Sequence, residues 1–130
     1  MIKTQFTLYL ENKTGILAKI TRLLATAKVN IEGISVAETT DVSLVQVVVD
    51  NAAAAKRALK RGNVSFTQQA VAVLPLSNRP GALASVAARL AKAGININYL
   101  YCTTPDGHHA EPVVVVSGED LARIEKLWKP

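Results

Sequence analysis

The sequence predicts an α+β protein built from two tandem copies of one unit, ordered strand, helix, strand, strand, helix, strand, with the last strand missing from the second copy. Three observations carry that prediction. Shifted by 66 residues, residues 11–39 align with residues 77–105, and nine of the 29 pairs are identical, among them Asn12/Asn78, Gly15/Gly81, Leu24/Leu90 and Asn30/Asn96. Within each copy the apolar spacing changes from two to three-and-four and back again, so strands and helices follow in the same order. Two copies of a 66-residue unit would also come to about the length of the 130-residue chain.

In the first copy, Ile2 to Leu10 alternates apolar and polar side chains and reads as a half-buried strand. Ile16, Leu17, Ile20, Leu23, Leu24 and Ala27 then fall on one face of a helix over 15–28. Two strands follow, 30–39 and 43–50, with Thr40-Asp41 at the turn and Val45, Val47 and Val49 facing the helices. Residues 52–61 favour a second helix, capped by Asp50 or Asn51 and stopped by Gly62-Asn63, and 64–69 form a fourth strand. The second copy repeats the pattern: a strand over 70–76, a helix over 80–93 and a strand over 95–104. A loop at 105–109 leads to a strand over 111–117, and a helix over 119–128 turns Leu121, Ile124, Leu127 and Trp128 inward. Helices on one face of an antiparallel sheet in this order make a ferredoxin-like unit. The units divide at 69/70, as residues 1–69 and 70–130. With no fourth strand in the second, one of its sheet edges is expected to be bare or covered by another chain, which argues for a homodimer.

Composition narrows the function classes. With 49% apolar and 19% charged residues the chain is expected to fold rather than remain disordered. No apolar run approaches the ~20 residues that cross a bilayer, and the start lacks the apolar core of a secretory signal, so a cytoplasmic location without membrane attachment is expected. Cys102 is the single cysteine and forms no internal disulfide. The net charge of +5 admits nucleic acid as a partner, but the basic residues are scattered. Their one cluster, Lys56, Arg57, Lys60 and Arg61, is read as cations favouring the end of a helix.

Chemistry is expected where the two copies agree on polar residues. Asn12-Lys13-Thr14-Gly15 and Asn78-Arg79-Pro80-Gly81 each join a strand to a helix. Proline at the first helical position with glycine beside it leaves backbone N–H groups bare at the positive end of the helix, a setting for a carboxylate or phosphate. An asparagine amide both donates and accepts, so it suits the other half of a zwitterion, or it stabilises the turn. Asn30 and Asn96 repeat at the start of the second strand and offer the same choice.

Taken together, an apolar strand, Asn-Lys/Arg-Thr/Pro-Gly, a helix with leucine and alanine on one face, and Val/Ile-Asn-Ile resemble the ACT domain, once per copy. That resemblance implies a regulatory module that binds a small amino acid between paired units, as in the regulatory parts of phosphoglycerate dehydrogenase and acetolactate synthase. It puts ligand contacts on Asn12, Thr14, Gly15, Ile16, Leu17, Asn30 and Ile31, and on Asn78, Pro80, Gly81, Ala82, Leu83, Asn96 and Ile97. It implies no cofactor, a homodimer, and a regulated amino-acid biosynthetic enzyme as partner. Tyr99 stands opposite Gly33 in the alignment, so the copies are not expected to bind equally.

Rival readings fit the residues less well. An RNA-binding fold needs aromatic side chains for base stacking on its central strands, and 44–49 and 113–116 have none. An acylphosphatase-like enzyme needs a glycine-rich loop ending in Phe-Arg, which is absent. No His, Cys or carboxylate pair repeats between copies, so no catalytic set is expected. His108, His109, Glu111 and Cys102 are close in sequence but not spaced as metal ligands. An interaction-only regulatory subunit remains as an alternative to a ligand-binding one.

Overall fold

A computed structural model describes residues 1–39, 41–103 and 112–128. Its elements are β1 (Ile2–Glu11), α1 (Ile16–Thr26), β2 (Ile31–Glu38), β3 (Val42–Val49), α2 (Ala52–Arg61), β4 (Ser65–Pro75), α3 (Ala82–Lys92), β5 (Ile97–Thr103), β6 (Val113–Gly118) and α4 (Leu121–Leu127). They form an α+β fold of ferredoxin-like units. One compact unit is Thr4–Gln69; the other joins Met1–Lys3 to Ala70–Pro130. Residues 1–3, grouped with the first copy by the sequence reading, thus lie with the second.

In the unit Thr4–Gln69 the strands run in the order β2-β3-β1-β4. β1 and β2 both pair antiparallel to β3, with Phe6 opposite Val47 and Val36 opposite Val45. The alternation read from the sequence places Phe6, Leu8, Val45, Val47 and Val49 on the face that meets Ile20 and Leu24 of α1 and Ala55 and Leu59 of α2. Phe66 closes this core edge-on to Phe6, ring centroids 5.6 Å apart. Asn51 caps α2 by accepting from the Ala54 N–H at 3.0 Å. After Gly62 it is Asn63, not the glycine, that takes the left-handed conformation. A Cβ at Gly62 would lie 2.7 Å from Leu23 Cδ2, so the Leu23 side chain would have to shift to admit one. The apolar stripe of α1 is wider than the core it serves, since Leu17 is 42% exposed and Leu23 only half buried.

The opposite face of this sheet holds a feature with no signal in the sequence. Gln5 and Thr7 are buried there and belong to a directional hydrogen-bond chain. Gln5 Nε2 donates to Thr7 Oγ1 (3.2 Å), Thr7 to Gln69 Oε1 (2.7 Å) and Gln69 Nε2 to Thr67 Oγ1 (2.7 Å), which meets Tyr9 OH at 3.3 Å. Thr7 and Gln69 both give and receive, and no buried side-chain nitrogen or oxygen among the described residues lacks a partner.

In the second unit the order is β5-β6-β4, with the first residues of β1 beside β4. Val73 N–H donates to Met1 O at 2.8 Å, and the Met1 amine donates to Val73 O at 3.1 Å and pairs with Glu125 at 2.6 Å. Residues 1–3 therefore stand where the missing fourth strand belongs. The expectation of a sheet edge bare or covered by another chain is corrected, and the argument for a homodimer built on it falls away. Deleting residues 1–3 should cost about 2 kcal/mol for two backbone hydrogen bonds and expose a pairing edge. Chemical denaturation and light scattering would register the loss and the resulting association.

The strands expected at 64–69 and 70–76 are one continuous strand, β4, because Ser65 to Leu74 holds no Gly, Pro, Asn or Asp to turn the chain. The core here comprises Leu74, Val86, Leu90, Val114, Val116, Ile124 and Trp128, with Leu121 and Leu127 packed against it. Asp120 caps α4 through the Arg123 N–H at 3.1 Å. A register shift at the start of the second strand recurs in both units, between Ile31 and Gly33 and between Ile97 and Tyr99. Thr40 of the expected turn and the loop 105–109 lie outside the described residues.

Tyr99 and Tyr101 alternate with the core residue Leu100 and share the face away from it. Burial first, and Tyr99 second, push the Tyr101 phenol well above the usual tyrosine range. The folded chain thus holds the neutral phenol more firmly than the unfolded chain. Its contribution is whole below about pH 10 and is lost as pH rises further. Denaturation midpoints should fall between about pH 9 and 11, and less so in Tyr101→Phe.

Candidate functional site

The two matching loops build matching helix starts. α2 and α4 are capped by Asn51 and Asp120, whereas α1 and α3 begin at Gly15 and Gly81 with no side-chain cap. Both glycines are left-handed, φ +90° and +86°, a conformation an L side chain resists although a Cβ would meet nothing within 4 Å. This turn moves Pro80 out of the helix. Expected at the first helical position, it precedes the Gly81 cap, and Ala82 is the first helical residue. In α3 the Ala82 N–H reaches Arg79 O at 3.3 Å, and the first intrahelical bond runs from Ser85 N–H to Gly81 O at 2.9 Å. The N–H groups of Leu83 and Ala84 between them have no acceptor one turn back.

Leu83 and Ala84 help to line a cavity of about 270 Å³. Its wall combines Leu76, Ser77, Asn78 and Arg79 from the loop, Gly81 to Ala84 from the helix start, and Cys102 and Pro112 from the facing strand ends. Among the described residues Arg79 is the one charged residue on this wall, so the guanidinium and the helix end favour an anionic group, and the small volume suits a small metabolite.

The first loop is arranged differently. Asn12 Nδ2 donates to Glu38 Oε1 at 2.7 Å and Lys13 pairs with Glu11 at 3.2 Å, so these two side chains are engaged by their neighbours. The start of α1 repeats the open amides, at Leu17 and Ala18, between the bonds Ile16 N–H to Lys13 O and Lys19 N–H to Gly15 O. Asn12, Thr14 and Gly15 are exposed, and Ile16 lines a different cavity beside β1.

Of the residues expected to contact a ligand, Asn78, Gly81, Ala82 and Leu83 share the second-loop cavity; Pro80, Asn96 and Ile97 are not on its wall. Asn30 is exposed, and its backbone is engaged: its N–H donates to Asp50 Oδ1 at 2.9 Å and its carbonyl accepts from Asp50 N–H at 3.1 Å. Ile31 and Ile97 pack against the two cores. Asn96 Nδ2 meets Asn98 Oδ1 at 3.4 Å. Sequence reasoning missed Leu76, Ser77, Arg79, Ala84, Cys102 and Pro112. Arg79 was legible as the counterpart of Lys13, whereas Cys102 and Pro112 arrive through strand pairing that no local pattern records. Among the described residues no group of three or more His, Cys, Asp or Glu side chains could hold a metal; His108, His109 and Glu111 lie outside them.

Comparison with known proteins follows the same lines. The model of a family described as an ACT domain pair matches residues 1–122. The chain belongs to the ACT domain pair family. Among solved structures, protein BT0572 from Bacteroides thetaiotaomicron superposes with a TM-score of 0.88 at 28% identity, over 98% of this chain and 86% of that one. The ligand-free regulatory subunit of aspartate kinase from Thermus thermophilus gives 0.70 at 17% identity, over 98% and 92%. The corresponding subunit from Thermus flavus gives 0.66 at 18%, over 98% and 90%. The two subunits share the fold of this ACT pair. No curated protein matches the sequence, and no helix among the described residues is long and apolar enough to cross a membrane.

Proposed function

We propose that this ACT pair is a non-enzymatic regulatory module that binds a small amino acid at the second loop. The observation that carries the reading is the cavity where the uncapped start of α3, Asn78 and Arg79 converge. The ligand carboxylate would accept from the Leu83 and Ala84 N–H groups, with Arg79 adding charge, and its ammonium would meet the Asn78 side-chain oxygen. Leu76, Ala82 and Pro112 line the same cavity and would meet the ligand's side chain. The first loop is the weaker candidate because Asn12 is already bonded to Glu38. Membership of the ACT family and the fold shared with aspartate kinase regulatory subunits favour regulation of an amino-acid biosynthetic enzyme, in the cytoplasm and without a cofactor.

A homodimer fits this reading. β2 is an outer strand with no neighbour beyond it among the described residues, and Ile34, Val36 and Val42 on the β2–β3 hairpin are exposed, Val36 by 51%. Pairing of copies there would place units side by side, and a ligand that favours the pair would couple occupancy to assembly.

A thermal-shift screen of the amino acids tests the proposal. A ligand at a hundred times its Kd adds about 2.7 kcal/mol. One amino acid should raise the melting temperature, Asn78→Ala should abolish the rise and Asn12→Ala should preserve it. A rise unaffected by Asn78→Ala would move the site elsewhere.

A further inference from the structure

A second surface of the molecule has the character of a docking groove. Between α1 and α2 lies a cavity of about 450 Å³ whose floor is Leu23, Ala27 and Ala58 and whose rim carries Lys19, Arg22 and Arg61. A smaller cavity of about 200 Å³ continues from it along α1, sharing Lys19 and Leu23 and adding Ile16, Ile20 and Val64. The three rim cations are exposed, and among the described residues no carboxylate lines the larger cavity. The smaller cavity has one, Glu11, which is held by Lys13 at 3.2 Å. Arg61 belongs to the cluster that the sequence reading assigns to the end of α2. In the fold it stands over the same floor as two cations from another helix, which the helix-end explanation does not require.

We infer that this groove receives an acidic amphipathic helix from a partner protein. The charge pattern sets the chemistry: an apolar floor inside a ring of uncompensated cations calls for an apolar ridge flanked by carboxylates. A bare phosphate or RNA backbone would leave the floor unused, and a wholly apolar segment would strip water from three unpaired cations. Length sets the class of occupant. From Ile16 to Ala27 the two cavities follow α1 for ~16 Å, which matches two to three turns of a docked helix and exceeds a compact metabolite. The groove is built wholly from the unit Thr4–Gln69 and shares no lining residue with the proposed ligand cavity, so it would let one module hold a partner and sense a ligand through different residues.

The test uses the full chain and a fluorescein-labelled helical peptide of about 12 residues, with leucines at three- and four-residue spacing and glutamates along both flanks. Fluorescence anisotropy should show saturable binding that weakens at higher salt. Lys19→Glu, Arg22→Glu and Arg61→Glu should each weaken it about tenfold, and Lys92→Glu and Lys126→Glu, exposed cations on α3 and α4, should change it less than about twofold. The peptide with glutamine in place of glutamate should bind at least about tenfold more weakly. Circular dichroism of each variant confirms that it is folded. Equal losses from all five reversals would show only attraction to net charge and overturn the proposal. So would no saturable binding, or an RNA oligonucleotide that binds through Lys19, Arg22 and Arg61 while the peptide does not.

Discussion

Replacing Trp128 by alanine will lower the free energy of unfolding by about 4 kcal/mol. The indole is 7% exposed at the end of α4, where it closes the core formed by Leu74, Val86, Leu90 and Ile124. Its Nε1–H also donates to Pro75 O at 2.6 Å, tying the helix end to β4. Truncation removes the ring and leaves a cavity beside a carbonyl that loses its donor. Trp128→Phe retains most of the apolar volume and loses the donor and part of the ring, so about 1–2 kcal/mol is expected there. Because Trp128 is the single tryptophan in the sequence, denaturation of both variants is followed by circular dichroism. A loss under about 1 kcal/mol for alanine would mean that the ring does not fill the core.

Phe6→Ala will have a similar effect in the unit Thr4–Gln69, about 3–5 kcal/mol. Phe6 is fully buried in β1, lies opposite Val47 and packs edge-on against Phe66. Losing the ring removes both the buried area and the aromatic pair, worth about 1 kcal/mol of its own. Phe6→Leu should cost less than half as much, since the aliphatic side chain fills part of the space. Guanidinium titrations of the two variants beside the parent chain give the comparison.

Periodicity and repetition made the architecture legible. Val45, Val47 and Val49 pointed to the helices because β spacing puts alternate residues on one face, and the 66-residue repeat gave the second unit from the first. Residues 1–3 did not read as the fourth strand of the second unit, because strand order is set by pairing across about 70 residues and leaves no local mark. The joining of 64–69 to 70–76 was readable in principle, because Phe66 to Leu74 holds no Gly, Pro, Asn, Asp or Ser to turn the chain. At the site, the loop motif located the helix starts, but left-handed glycine geometry rather than proline shaped them. Nothing in the motif distinguished Asn12, held by Glu38, from Asn78, because that difference rests on a side chain 26 residues away. The Gly33/Tyr99 contrast pointed to unequal copies; the loops themselves supply a further difference.

The central claim is that the uncapped amides of α3 receive a ligand carboxylate, and their resonances in a ¹⁵N-correlated NMR spectrum report on it most directly. Titration with the amino acid that raises the melting temperature should move the Leu83 and Ala84 amide signals in a saturable way while those of Leu17 and Ala18 stay in place. Movement at Leu17 and Ala18 with Leu83 and Ala84 unchanged would contradict the account, as would no saturable change at either helix start.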